Sequence, residues 1–244
     1  MNKIEINTSD QTLTVAWSDM SLFRKYLNIQ RSVLTPNGDI TNRPVNFIQG
    51  PDIIRNVQLF YLNYWDKLRQ LKVYDNLPKN PVILDIGSGM GILDFLAYQY
   101  LGNAGQFYLV DHEEYTIPPD IYSESYNYYH SWAVTRDIIA TSNFNPDNFI
   151  FVDNTEWPND IDMITAWGSW CWHFPRSTYW DKVKTHLKVG GRLVVEVSQA
   201  LTRENKAEES AKELIDAISE EFQCIPDKFY MFPDGVRVMW TRNR

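Results

Sequence analysis

Apolar residues along this chain fall into different spacings, and each spacing predicts a different element. Ile54, Val57, Phe60, Tyr61, Tyr64, Leu68 and Leu71 recur at three- and four-residue steps, the period of one helix face, and predict a helix over about 53–74. Short runs of strand formers predict strands at 82–85, 106–111, 148–153, 161–167 and 192–198. Between them helical spacing returns over about 91–101, 125–142 and 178–187, and again from Ala211 through Leu214, Ile215 and Ile218 to Phe222. Strands alternating with helices predict an α/β fold, a mainly parallel sheet with helices on both faces. The tail breaks the alternation. Segments 228–232 and 236–241 are strand-like and are joined by Phe232-Pro233-Asp234-Gly235, which predicts a closing antiparallel hairpin.

Residues 1–50 alternate short apolar runs with turn signals such as Thr35-Pro36-Asn37-Gly38, and predict an irregular segment that must pack on something else. The expected division is an accessory segment over 1–77, covering the acceptor, and an α/β domain over 78–244. A chain of 244 residues suits one such domain with additions. The charged run 203–213 reads as a solvated helix face.

Charge and cysteine usage narrow the function classes. A net charge of −8 disfavours a nucleic-acid partner, because phosphate-backbone binding relies on clustered Lys and Arg. Cys171 and Cys224 form neither a CxxC pair nor a metal-ligand spacing, so reduced thiols in a cytoplasmic setting are expected. No apolar run approaches the length needed to span a bilayer, and no membrane partner is expected.

The chemistry concentrates between the first strand and its helix, at Asp85-Ile86-Gly87-Ser88-Gly89-Met90-Gly91. A dinucleotide fingerprint needs GxGxxG, with a third glycine for close helix–strand packing. Here the spacing is GxGxG and Ile92 stands in that third place; GxxxxGK[ST] does not occur either. The loop brings backbone near a ligand without requiring a phosphate, and Asp111 ends the second strand about twenty residues later.

This DxGxGxG pattern, with an acidic residue ending strand two, resembles the class I S-adenosylmethionine-dependent methyltransferases, from about Val82 onwards. Ile161-Asp162-Met163-Ile164 and Leu187-Lys188-Val189-Gly190-Gly191-Arg192-Leu193 resemble the family's strand-four signature and its turn into strand five, although the family usually has proline where Val189 stands. The resemblance implies a Rossmann-like, seven-stranded, mostly parallel sheet with a C-terminal antiparallel hairpin, and S-adenosylmethionine as cofactor. It implies that Gly87, Ser88, Gly89 and Gly91 pass under the cofactor and that Asp85 orders the loop. Asp111 then accepts the ribose hydroxyls, with His112 beside it, while Asp153 and Asn154 lie near the adenine. Trp167, ending strand four, completes the expected cofactor set. Asp153 also reads as a helix cap, and Asp162 as a structural strand start.

The acceptor is expected beyond strand four, where the chain reads Ala166-Trp167-Gly168-Ser169-Trp170-Cys171-Trp172-His173-Phe174-Pro175. Trp170 and Trp172 are candidate substrate-binding faces, and core packing is the competing explanation for at least one of the tryptophans. His173 is the candidate base, since neutral imidazole is available near pH 7; a histidine hydrogen-bonded within a loop is its alternative. Tyr122, Tyr126, Tyr128 and Tyr129 are a candidate pocket wall, and equally a packing surface. No metal site is expected. The function expected is methylation of a small-molecule hydroxyl, most of all a sugar (EC 2.1.1.-), the layout being similar to sugar O-methyltransferases. The alternatives are an N-methyltransferase of a small amine or protein side chain, and a non-catalytic binding protein of the same fold.

Overall fold

The computed structural model describes residues 2–7, 11–17, 62, 64–111, 132–152, 156–198, 211–232 and 235–244. They fall into two compact units. One comprises Met1–Lys67, Gly89–Tyr100 and His112–Asp147, the other Leu68–Ser88, Leu101–Asp111 and Asn148–Arg244.

In the first unit, β1 (Asn2–Asn7) and β2 (Thr12–Trp17) form an antiparallel hairpin with Ile4 opposite Val15 and Ile6 opposite Leu13. The irregular segment expected over 1–50 is therefore ordered at its start. Ile4, Ile6, Leu13 and Val15 already alternate at the period of a strand, a signal that the turn-rich residues further on obscured. Gln11 Nε2 donates to the Leu96 carbonyl at 3.0 Å, tying the hairpin to the helix at Ile92–Tyr100. That helix stacks Phe95 on Phe144, centroids 5.0 Å apart, beyond the end of the helix at Trp132–Thr141.

The helix predicted over 53–74 is described at 62 and 64–70 and ends four residues early. Its stop is a chain-reversal cap rather than a breaker residue. Lys72 takes φ +52°, Val73 N donates to Leu68 O at 3.2 Å, and Lys72 N donates to Arg69 O at 2.9 Å, the paired bonds that close a helix around a left-handed residue. Arg192 then donates to the carbonyls of Val73, at 2.8 Å, and of Asp75. Residues 53–61 of that helix and 125–131 of the one expected at 125–142 lie outside the described residues.

Numbered in chain order, the helices are α1 (64–70), α2 (Ile92–Tyr100), α3 (Trp132–Thr141), α4 (Trp180–His186) and α5 (Ala211–Phe222). The second unit is built on a sheet of β3 (Val82–Ile86), β4 (Gln106–Val110), β5 (Phe149–Val152), β6 (Ile161–Ala166), β8 (Leu187–Ser198), β9 (Lys228–Phe232) and β10 (Gly235–Thr241), in the order β5-β4-β3-β6-β8-β10-β9. The pairings through β8 are parallel, and β10 runs antiparallel to both β8 and β9. The closing hairpin is thus present. β7 (Ser169–Phe174) is extended but not among the strands of this sheet, where a loop was expected.

One sheet face carries the apolar core: Leu84 and Ile86, Ile164 and Ala166, Leu193, Val195 and Val197, then Val236, Val238 and Trp240. Alternation of side chains along each strand puts these on one side. On that side they meet Trp180 and Val183 of α4, and Leu214, Ile218 and Phe222 of α5, which recur every four residues as one helix face requires. β8 begins at Leu187 rather than at Arg192 because its pairing to β6 slips: Ile161 faces Leu187, and Met163 faces Arg192. The slack is taken up around Gly190, at φ +81°. Arg242 clasps this bend, its amide donating to Gly191 O at 2.9 Å and its guanidinium to Lys184 O at 2.6 Å and to Leu187 O, so one side chain satisfies carbonyls left over at the end of α4.

Glu221 joins α5 to α4. It accepts from Trp180 Nε1 at 2.8 Å and pairs with Arg176 at 3.1 Å and Lys184 at 3.2 Å. Burial works to raise its carboxyl, but the Trp180 hydrogen bond and the two cations outweigh burial and hold it below the usual carboxylate range. A carboxyl depressed by folding stabilises above its ordinary range, and that contribution is lost as pH falls through the depressed value. Glu221→Ala leaves the buried Trp180 donor unsatisfied and should cost about 1 kcal/mol at pH 7, measured by urea unfolding; the gap to wild type should narrow as the medium is acidified below the carboxylate range.

Candidate functional site

The strand order reverses at β3, which pairs with β4 on one side and β6 on the other. Ligands of open α/β sheets bind beyond the carboxyl ends of the strands at such a point. There the chain leaves β3 through Gly87, at φ +74°. The Val110 carbonyl at the end of β4 accepts the amides of Gly87 at 2.7 Å and Ser88 at 3.2 Å. Asp111 is the next residue, half-buried, so the loop and the candidate ribose ligand are one peptide apart.

The other side of the turn is closed by Ser169, whose hydroxyl donates to the Ile86 carbonyl. A Cβ on Gly87 would lie 2.3 Å from the Ser169 Cβ. Two independent requirements thus fix glycine at this place, a left-handed φ and a close approach. The Ser88 hydroxyl oxygen is buried without a hydrogen-bond partner among the described residues. Gly89 and Gly91 also take positive φ; they belong to the other unit, where Gly91 O accepts the Phe95 amide at 2.9 Å and opens α2.

Asp85 is only 2% exposed and accepts from Thr165 Oγ1 at 2.6 Å across the β3–β6 pairing. Burial raises the cost of a carboxylate unless it is hydrogen-bonded, and Thr165 supplies such a bond. Asp162 works elsewhere: its Oδ2 accepts the Val82 amide at 2.8 Å and its Oδ1 pairs with Lys188, fastening the start of β3, so the structural reading of this residue describes it.

The sheet face opposite the apolar core carries paired polar rows. In the first, Asp85 lies beside Thr165, Thr165 beside Val194 and Val194 beside Met239. Two residues further toward the carboxyl ends of β3, β6 and β8, the next row runs from Gly87 past Trp167 to Glu196, Arg237 and Tyr230, the last three in direct register. Arg237, 3% exposed, donates from Nε at 3.0 Å and from Nη2 to Glu196 Oε1; Glu196 is 4% exposed. The guanidinium carbon sits 5.4 Å from the Trp167 ring centroid and 5.9 Å from that of Tyr230.

The candidate acceptor segment separates into parts. Trp170 is fully buried, donates from Nε1 to Arg176 O at 3.1 Å, stacks on Trp180 and meets Tyr179 edge-on. Its ring is committed to the core, which removes it as a substrate-binding face; the flanking Tyr179 and Trp180, buried themselves, are what draw it in. Cys171 is buried at φ +63°, and Trp167 is buried over Arg237. The backbone of Trp172 and His173 continues β7; their side chains, and His112, Asp153, Asn154, Tyr122, Tyr126, Tyr128 and Tyr129, lie outside the described residues. His186 is an ordinary helix residue, its Nδ1 2.9 Å from Pro158 O. Among the described residues no three His, Cys, Asp or Glu side chains converge as metal ligands, and no helix is long and apolar enough to cross a membrane.

Sequence reasoning missed Thr165, Ser169, Glu196 and Arg237. A signal existed for the last two. Each is a charge flanked by apolar residues within a strand, RLVVEVS and GVRVMWT, and such residues are almost never fully buried unless paired. Ser169 had none, because its role depends on which strand β6 joins.

No family model matches the chain, and no relative is found among the curated proteins. Solved structures resemble it in fold. A protein proposed to be a sarcosine dimethylglycine methyltransferase, from Galdieria sulphuraria, superposes with a TM-score of 0.51 at 13% identity, over 72% of this chain and 66% of its own length. A ribosomal protein L11 methylase from Lactobacillus delbrueckii subsp. bulgaricus gives 0.48 at 16% identity, over 73% and 79%. An S-adenosylmethionine-dependent methyltransferase from Aquifex aeolicus gives 0.47 at 16%, over 70% and 87%. The first likeness, together with the strand order, establishes a Rossmann-like fold of the methyltransferase type.

Gly87→Ala should destabilise by about 2 to 4 kcal/mol, the sum of a left-handed Cβ and an overpacked contact. Adding Ser169→Gly removes the contact but not the backbone strain, so the double variant should be more stable than the sum of the single losses; additive losses in a thermal-unfolding cycle would contradict the packing described.

Proposed function

We propose that the chain is an S-adenosylmethionine-dependent methyltransferase whose acceptor is a small-molecule hydroxyl, in the first place a sugar. The observation that carries the reading is the turn at Gly87. Both its amide and that of Ser88 are held on the Val110 carbonyl, leaving a glycine-lined edge directly before Asp111. Such an edge suits a nucleoside with an amino-acid tail: backbone for close approach, a carboxylate for two vicinal hydroxyls, and the buried Ser88 hydroxyl oxygen as a further polar contact.

In this reading Gly87, Ser88, Gly89 and Gly91 line the cofactor, and Asp85, restrained by Thr165, holds the loop and the methionine end. Asp111 and His112 take the ribose, Asp153 and Asn154 the adenine, and Trp167 the strand-four side. S-adenosylmethionine supplies a methyl group on a sulfonium sulfur, open to in-line displacement. His173 accepts the proton of the acceptor hydroxyl on an imidazole nitrogen, which the neutral ring can do near pH 7. Trp172 offers an aromatic face to the sugar. With Trp170 committed to the core, the sugar assignment rests on Trp172 and His173, whose backbone continues the strand that begins beside the glycine loop at Ser169. A net charge of −8 favours a small acceptor over nucleic acid.

Calorimetry should detect S-adenosylmethionine binding to the wild type, and Asp111→Ala should weaken it about tenfold or more, the loss expected of hydrogen bonds to a charged group. No binding by the wild type overturns the reading. In an acceptor screen with labelled cofactor covering sugars, nucleotide sugars, phenols and amines, sugars should be methylated, and His173→Gln should abolish turnover while sparing cofactor affinity.

A further inference from the structure

We propose that the buried Glu196–Arg237 pair is a positioning device that sets the turn Trp167-Gly168-Ser169 against the glycine loop; this rests on the cofactor reading above. The turn is held from two directions. At one end the Ser169 hydroxyl donates to Ile86 O and its Cβ fills the space beside Gly87. At the other, the Trp167 ring lies over the Arg237 guanidinium, 5.4 Å from centroid to Cζ. Between them is Gly168, at φ +58°, where an added Cβ would sit 3.8 Å from Glu196 Oε2. The carboxylate therefore lies directly under the turn.

The pair's own geometry is determined across three strands. Glu196 on β8, Arg237 on β10 and Tyr230 on β9 are register partners, and Arg237 is flanked by Trp167 and Tyr230 while Nε and Nη2 engage Glu196 Oε1. A planar guanidinium held this way by a carboxylate and two rings has one orientation, which an ammonium would not have. An apolar pair can span the same two strands, as Val194 beside Met239 does in the neighbouring row. Buried ion pairs cost desolvation, and apolar replacements of similar volume are commonly neutral or stabilising. A pair kept two residues from the end of β8, in the row that begins at Gly87, is accounted for by the orientation it imposes on Trp167 and Gly168, and so on the loop beside Ser169.

The test uses the full chain and S-adenosylhomocysteine as probe, with urea unfolding alongside calorimetry. Glu196→Leu combined with Arg237→Met should unfold at or above the wild-type midpoint yet bind the probe about tenfold more weakly, because the volume is kept and the orientation lost. Arg237→Lys keeps the charge and should fold in any case; it should bind about threefold to tenfold more weakly. Wild-type affinity in either folded variant overturns the inference. Failure of the wild type itself to bind the probe overturns the cofactor reading, and the inference with it.

Discussion

The site depends on one peptide turn. Between Ile86 and Ser88 the chain is gripped on both sides, by the Val110 carbonyl through two amides and by the Ser169 hydroxyl through the Ile86 carbonyl. Both grips come from segments adjoining the strands that pair with β3, one at the end of β4 and the other shortly after β6. The shape of the loop is therefore set by sheet pairing together with the glycine at 87. Glycine at 87 is what lets the two grips come this close, and without it neither hydrogen bond could form in its present place.

The sheet treats its two faces differently. One is a continuous apolar layer against α4 and α5; the other interleaves apolar positions with Asp85–Thr165 and Glu196–Arg237. Because side chains alternate along a strand, a one-residue slip of β10 against β8 would send Arg237 into the apolar layer and leave Glu196 buried without its partner. The buried charges therefore also specify register, at the two strands where the direction of pairing changes from parallel to antiparallel. Strong hydrogen bonds in a region of low dielectric make the correct alignment far better than its neighbours.

Much of the fold was legible. Strands at 82–86, 106–110, 161–166, 228–232 and 235–241 follow from runs of strand formers and the turn signal between the last two, and the α5 face of Leu214, Ile218 and Phe222 follows from its helical period. Helix and strand limits were not, where a left-handed Lys72 ends α1 or a pairing slip starts β8 early; neither leaves a residue-type signature. The glycine loop was recognisable because its glycines have backbone reasons to be glycine. Trp170 was not assignable, since an aromatic residue suits a pocket wall and a core equally, and only Tyr179 and Trp180 around it decide between them. The Ser169 contact needed the β3–β6 adjacency, which no local pattern encodes.

β10 occupies an interior slot, between β8 and β9, although it follows both in the chain. The edge strand β9 has its neighbour, and the bend at Gly190–Gly191 its clasp from Arg242, only once residues 235–242 arrive. During synthesis β8 must wait with an open side while more than thirty further residues leave the ribosome, the interval from Ser198 to Gly235. Pairings between distant segments close slowly, and here the interior strand β10 completes the pairing of both β8 and β9. Completion of this half of the sheet therefore waits on β10, with one edge of β8 open in the meantime.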